Sequence, residues 1–207
     1  ARLQGILRPK PGTDPQPDVR ALENKINSAL RSWNDELTNI LVQKHGEENG
    51  LKLARKIGEV FPAAYMEDIS PWVAAFDVEK IALLKDADDL QLSLYRPRSK
   101  ATGLIRFKIF KRSHPLPLSD VLPMLEDMGL HIVSERPYEL KFDQDDSIWV
   151  QDFDMVYGHG VDLDIEVVGE SFQQAFENHW RWLAVSDGFN GLLLACQLDW
   201  CHVKGII

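Results

Sequence analysis

Leu104-Ile105-Arg106-Phe107-Lys108-Ile109-Phe110, running on through His114-Pro115-Leu116-Pro117-Leu118-Ser119 to Gly129-Leu130-His131-Ile132-Val133, is the stretch on which the architecture turns. Over residues 105–109 apolar and cationic residues alternate, the mark of a strand with one buried face. Helical spacing follows at Val121, Leu122, Leu125 and Met128, with Ser119 as the cap and Gly129 as the stop. Residues 130–142 read as a long strand, and Pro137 within it points to a sheet edge or a bulge. Asp143-Gln144-Asp145-Asp146 reads as a hairpin loop. Residues 148–157 are its return strand, with Trp149, Phe153, Met155 and Tyr157 nearly all on one face. Residues 161–168 alternate like a strand but also lead toward a helix. Ser171-Phe172-Gln173-Gln174 matches a capping box, and Phe172, Ala175, Phe176, His179 and Leu183 continue as a helical stripe. Strand, helix, strand, hairpin and helix in this order make a ferredoxin-like split βαβ sheet that lacks its last strand. The missing strand has three candidate sources: residues 90–95, residues 3–7, or a neighbouring chain.

Upstream, the period changes. Pro9, Pro11, Gly12, Pro15 and Pro17 make a stiff connector. Asp18 is a plausible N-cap, and Val19, Leu22, Ile26, Ala29, Trp33 and Ile40 recur at helical spacing until Gly46. A second helix is expected over residues 47–61, ended by Pro62. Ser70-Pro71 opens a third, reaching residue 84. Asp86, Asp88 and Asp89 form an acidic break before the strand expected at 90–95, and Asp187-Gly188 precedes a last short helix at 189–200. The expected organisation is therefore α+β: a helical segment over 1–86, a sheet unit over 87–168, and C-terminal helices over 169–207.

Composition narrows the function classes. The 207 residues carry 23 Lys and Arg against 32 Asp and Glu, a formal charge of −9. An acidic chain is a poor general binder of nucleic acid, because neutralising phosphates takes clustered cations. No apolar run approaches the roughly 20 residues of a membrane span. No signal peptide is visible, and the two cysteines, Cys196 and Cys201, lack CxxC spacing and a second pair. A reducing, cytoplasmic setting fits them.

The chemistry motifs are mostly missing. Gly158-His159-Gly160 has Leu163 where a dinucleotide turn needs its third glycine, so a hairpin end explains it better. No phosphate-cradling GxxxxGK stretch and no GxSxG elbow occur. Asp162, Asp164 and Glu166 alternate, with Asp152 and Asp154 nearby; such acids can hold a hard cation, but on a strand they normally make a solvated face. The six histidines show no HExxH spacing, so no metal site is expected. Arg106, Lys108 and Arg112 share a strand face, read as solvated or covered by a partner. One loop stands out. His114-Pro115-Leu116-Pro117 joins a strand to a helix start, and helix N-termini attract anions. A carboxylate-bearing ligand there would meet His114, Leu116, Ser119 and Asp120.

Taken in order, several segments resemble a known family. They are Arg8-Pro9 with Asp18-Val19-Arg20, Glu67-Asp68-Ile69 with Phe76-Asp77, and Arg106-Phe107-Lys108-Ile109-Phe110 with Leu116-Pro117-Leu118-Ser119. Leu122-Pro123-Met124-Leu125-Glu126-Asp127-Met128-Gly129-Leu130, Val133-Ser134-Glu135-Arg136-Pro137-Tyr138, Trp149-Val150-Gln151-Asp152-Phe153, Phe172 to Phe176, and Asp187-Gly188-Phe189-Asn190 complete the set. Over nearly the whole chain this is similar to the large bacterial NAD-specific glutamate dehydrogenases of the long-subunit class. The resemblance implies a piece of the N-terminal region with ACT-like modules, ahead of a catalytic domain. It implies no catalytic residue and no cofactor site here, NAD being used by the parent protein. ACT modules commonly bind amino-acid effectors near the first strand–helix loop, here residues 112–119. The expected role is thus a non-catalytic regulatory or assembly segment of a cytoplasmic, oligomeric enzyme that oxidatively deaminates glutamate. Its partners would be the catalytic domain of the same chain, further copies, and an amino-acid effector, with no nucleic acid and no membrane. The alternatives are a stand-alone amino-acid sensor and a purely structural oligomerisation module.

Overall fold

A computed structural model describes residues 19–97, 103–143, 146–158 and 163–181, with side chains from residue 23 onward. Helix α1 spans Val19–His45 and stops at Gly46, whose φ of +80° suits a residue without a Cβ. Helix α2 (Glu47–Ile57) folds back on α1 and passes into a 3-10 turn at Gly58–Val60. The two helices touch backbone to backbone at Gly50, where a Cβ would sit 2.5 Å from Val42 Cα. A short helix α3 (Ala63–Asp68), not expected from the sequence, follows Pro62. At six residues it is too short to show periodicity. Helix α4 (Pro71–Leu83) starts as expected, with Ser70 at the N-cap and Pro71 at the first turn.

The sheet has strands β1 (Leu90–Tyr95), β2 (Leu104–Arg112), β3 (Leu130–Lys141) and β4 (Ser147–Tyr157), in the order β1-β2-β4-β3. Every neighbouring pair is antiparallel. Thus β2 and β3, joined through α5 (Leu118–Asp127), run parallel with β4 between them, the split βαβ arrangement. Among the three candidate sources of the outer strand, residues 90–95 supply it, pairing beside β2. The segment at residues 3–7 lies outside the described residues, as do the cysteines and the helix expected at 189–200. Strand β3 is at the edge, which accommodates Pro137, and its bulge falls between Ile132 and Ser134.

Two helix starts differ from expectation. Helix α5 begins at Leu118 with Pro117 in the cap position, so Ser119 lies inside the first turn. Pro117 presets the backbone there, and its carbonyl takes the amides of Asp120 and Val121. Helix α6 (Ile165–Trp180) begins a turn and a half before Ser171, because Asp164 caps it by accepting from the Glu166 amide at 3.0 Å. The alternation at 165–168 is therefore helical, and Asp164 and Glu166 do not belong to a solvated strand.

Two cores flank the sheet. On one face Ile105, Phe107, Ile109, Phe153 and Met155 pack under α5 and α6. The Phe107 ring meets Phe172 and Phe176 edge-on, with centroids 5.1 and 5.0 Å apart. On the other face Phe110, Tyr138, Leu140, Ile148 and Val150 share a core with Trp33, Leu37, Leu41, Tyr65, Val78 and Ile81 of the helical block. The helices and the sheet therefore share apolar packing, and between them lies a buried cluster of charged residues.

A buried charged seam as the candidate functional site

Pleating sends Arg106 and Lys108 of β2, and Asp152 and Asp154 of β4, to the face covered by the helical block. Lys108 sits directly opposite Asp152, and Arg106 opposite Asp154. From above, α4 lowers Asp77 and α3 lowers Tyr65 onto the same patch. Lys108 and Asp77 form an ion pair, and the Tyr65 hydroxyl donates to the same Asp77 oxygen. Lys108 is 0% exposed, Asp77 2% and Asp152 1%. A fully dry pair is tolerated only when its remaining valences are met, and Asp77 meets this by accepting twice.

The Arg106 Nε donates to Asp154 Oδ1 at 2.8 Å. The second Asp154 oxygen accepts from Ser134 Oγ at 3.0 Å and Arg136 Nη1 at 3.3 Å. Farther out, the Tyr138 hydroxyl donates to Asp68 at 2.7 Å, and Trp33 Nε1 donates to the Ile69 carbonyl at 2.9 Å. Phe61 stacks on Tyr65 with centroids 4.4 Å apart, and Trp33 and Tyr138 meet Tyr65 edge-on, so an aromatic wall closes the seam.

Protonation follows from these contacts. Burial lifts the Asp77 carboxyl above its ordinary value, against the pull of Lys108 and the two hydrogen bonds. Burial works to lower Lys108, but Asp77, then Tyr95 and Asp152, outweigh it and hold the ammonium above its usual value. Burial also pushes the Tyr65 hydroxyl well up, with Asp77 adding to it. For Asp154, burial raises the carboxyl, yet the Arg106 hydrogen bond and charge carry it below the ordinary range. Asp152 goes the other way, up to about 6, because burial exceeds what Lys108 and Arg106 return. The seam clamps helices to sheet. Lys108, Asp77 and the Tyr65 hydroxyl are engaged with one another, as are Arg106 and Asp154.

This corrects the reading of the Arg106–Lys108 face as solvated or covered by a partner. The chain's own helices cover it. Arg112, on the same face, lies at the far end of β2, where Nε and Nη2 grip the two Asp146 oxygens at 2.8 and 2.9 Å. Asp152 and Asp154 likewise belong to the buried seam. Among the described residues, no group of three or more His, Cys, Asp or Glu side chains could hold a metal ion. The residues that sequence reasoning missed are Asp77 and Tyr65. Their signal was slight: a lone acid and a lone tyrosine among apolar helical positions.

The loop carrying the candidate effector residues is built differently. Ser113 takes a φ of +70°, a strained value for a residue with a Cβ, as the chain leaves β2. Leu116 is buried at 2% exposure, its side chain part of the α5–α6 core. Its amide donates to Gln151 Oε1 at 2.8 Å and its carbonyl accepts from Gln151 Nε2 at 3.0 Å, so a β4 side chain ties the loop down. His114, Ser119 and Asp120 are exposed, and Ser119 Oγ donates to Asp120 at 3.1 Å. Three of the four residues are thus exposed, and Leu116 is buried. Separately, an open cleft of about 700 Å3 lies between the end of β1 and the start of α6, lined by Leu94, Tyr95, Arg96 and residues 163–166. Arg96 crosses it to donate to the Leu163 carbonyl at 2.6 Å.

Fold and seam together define an ACT-type α+β module locked to a helical one. Residues 89–168 match the family model described as glutamate dehydrogenase, ACT3 domain, and residues 40–84 match glutamate dehydrogenase, helical motif 2. The NAD-specific glutamate dehydrogenase of Halomonas elongata is 37% identical over 203 residues, which is 98% of this chain and 12% of that protein. That of Pseudomonas aeruginosa is 34% identical over the same shares, and that of Mycobacterium tuberculosis 24% identical over 88% of this chain and 11% of the relative. Two stretches of the chain thus match modules of glutamate dehydrogenases, and the chain spans about 12% of the length of the first two of these curated relatives. The seam joins the two stretches: Tyr65 and Asp77 come from helical motif 2, and Arg106, Lys108, Asp152 and Asp154 from ACT3.

Proposed function

We propose that the chain is a non-catalytic regulatory and assembly segment of a cytoplasmic, NAD-dependent glutamate dehydrogenase. The parent enzyme converts glutamate and NAD to 2-oxoglutarate, ammonia and NADH. Its nicotinamide and its hydride-transfer groups belong to a catalytic domain elsewhere in the same subunit. The observation that carries the reading is the near-complete match to a small share of long NAD-specific enzymes. The buried seam supports it, since a clamp between two modules transmits position rather than performing turnover. No helix among the described residues is long and apolar enough to cross a membrane.

In this reading the segment holds copies of the subunit together and senses an amino acid. The effector contacts the exposed surface of the β2–α5 loop over Leu116, its carboxylate at His114 and Ser119 and its ammonium at Asp120. A thermal-shift screen of the purified chain against amino acids, at several protein concentrations, tests both roles. An effector at 100-fold its Kd adds about 2.7 kcal/mol, and self-association makes Tm rise with protein concentration. Glutamate oxidation with NAD by the 207-residue chain alone would overturn the reading. So would a Tm indifferent to every amino acid and to concentration.

A further inference from the structure

Asp152 is the member of the seam that geometry leaves unserved. Both of its oxygens are buried, and neither has a hydrogen-bond partner among the described residues. Lys108, directly across the strand pair, is turned to Asp77. Arg106 bonds Asp154, and its Nη1 stays 3.7 Å from Asp152, beyond hydrogen-bond reach. Arg136, its register partner on β3, also bonds Asp154. The remaining ionisable neighbours are Tyr95 on β1, Tyr65 on α3, Tyr138 and Glu135 on β3, and Asp77 on α4, none of them cationic. Three carboxylates, Asp77, Asp152 and Asp154, thus lie around one fully buried cation, Lys108, and one partly buried cation, Arg106. A buried carboxylate with no hydrogen bond, and only a longer-range pull from Arg106 and Lys108, is relieved by taking up a proton, which also turns an acceptor-only group into a donor.

We propose that Asp152 is a proton-operated latch between the two modules, gripping the helical block more tightly to the sheet when it is protonated. The direction follows from linkage. A carboxyl held above its ordinary value in the folded chain stabilises folding most below the unfolded value. That contribution fades as pH rises through the folded one. The window runs from the ordinary 3.8 up to about 6, so neutral solution finds the latch loosened and mild acid closes it. The same proton balance applies whether or not an amino acid binds to the β2–α5 loop.

The test compares the 207-residue chain with Asp152→Asn, which keeps the shape and removes the charge. At neutral pH the variant should raise the folding equilibrium constant on the order of 100-fold, the fold-change equivalent to a shift from 3.8 to about 6. The gain should shrink toward nothing as the pH falls to the ordinary carboxyl range. A gain of the same size at both ends of the window overturns the latch, as does a loss at both ends. Side-chain 13C carboxyl titration of the wild-type chain serves independently if the variant does not fold. A resonance titrating near 6, assigned to Asp152, supports the proposal, and a midpoint at or below 3.8 overturns it.

Discussion

Replacing Lys108 with methionine removes the ammonium from the seam while keeping most of the aliphatic stem. Lys108 is 0% exposed and Asp77 2%, so no water replaces the lost partner. The Asp77 carboxylate is left with the Tyr65 hydroxyl and with burial that already lifts it. Breaking a buried pair from one side costs about 3–5 kcal/mol, since the surviving charge is stranded. Against a total stability of about 5–15 kcal/mol this is a large share. For a domain of this size, it corresponds to a fall in Tm of roughly 6–20 °C. Urea unfolding at neutral pH, followed by circular dichroism and tryptophan fluorescence, gives the value directly. The double variant Lys108→Met with Asp77→Asn removes both charges, and it should recover a substantial part of the loss. If Lys108→Met costs less than about 1 kcal/mol, or the double variant is as unstable as the sum of the singles, the pair is not the clamp described here.

Other substitutions probe the elements that hold the seam in place. Gly50→Ala drives a methyl group to within 2.5 Å of the Val42 backbone and should cost about 1–3 kcal/mol, read from the urea midpoint. Gln151→Leu removes both bonds to the buried Leu116 backbone. With about 1–3 kcal/mol for each stranded group, it should destabilise the β2–α5 loop and speed hydrogen exchange at the Leu116 amide, while amides of α1 stay protected.

Much of the fold was readable because local patterns carried it. The 2-residue period of 105–109, the stop at Gly129 and the Pro137 edge signal all sit where the chain uses them. The helix starts were less legible. Pro117 displaced Ser119 because the proline presets the backbone and its carbonyl takes the first amides, and Asp164 displaced Ser171 because an upstream carboxylate caps the Glu166 amide. The candidate loop was found as a strand–helix connection, but its anchor, Gln151, lies 35 residues downstream of Leu116 on another strand. No spacing rule reaches that far.

Alternation along β2 was enough to place Phe107 and Lys108 on opposite faces. It says nothing about which face meets water, because a cation on a pleat looks the same whether solvent or a helix lies above it. That question was resolved when α3 and α4 folded over the sheet and brought Tyr65 and Asp77, some 43 and 31 residues upstream, against Lys108. Covering turned an ordinary half-polar strand face into a dry ion pair, with Asp152 left short of donors. Solvent exclusion is a collective property of the packed layers, so it sets the charge balance of the seam in a way that no run of neighbouring residues can encode.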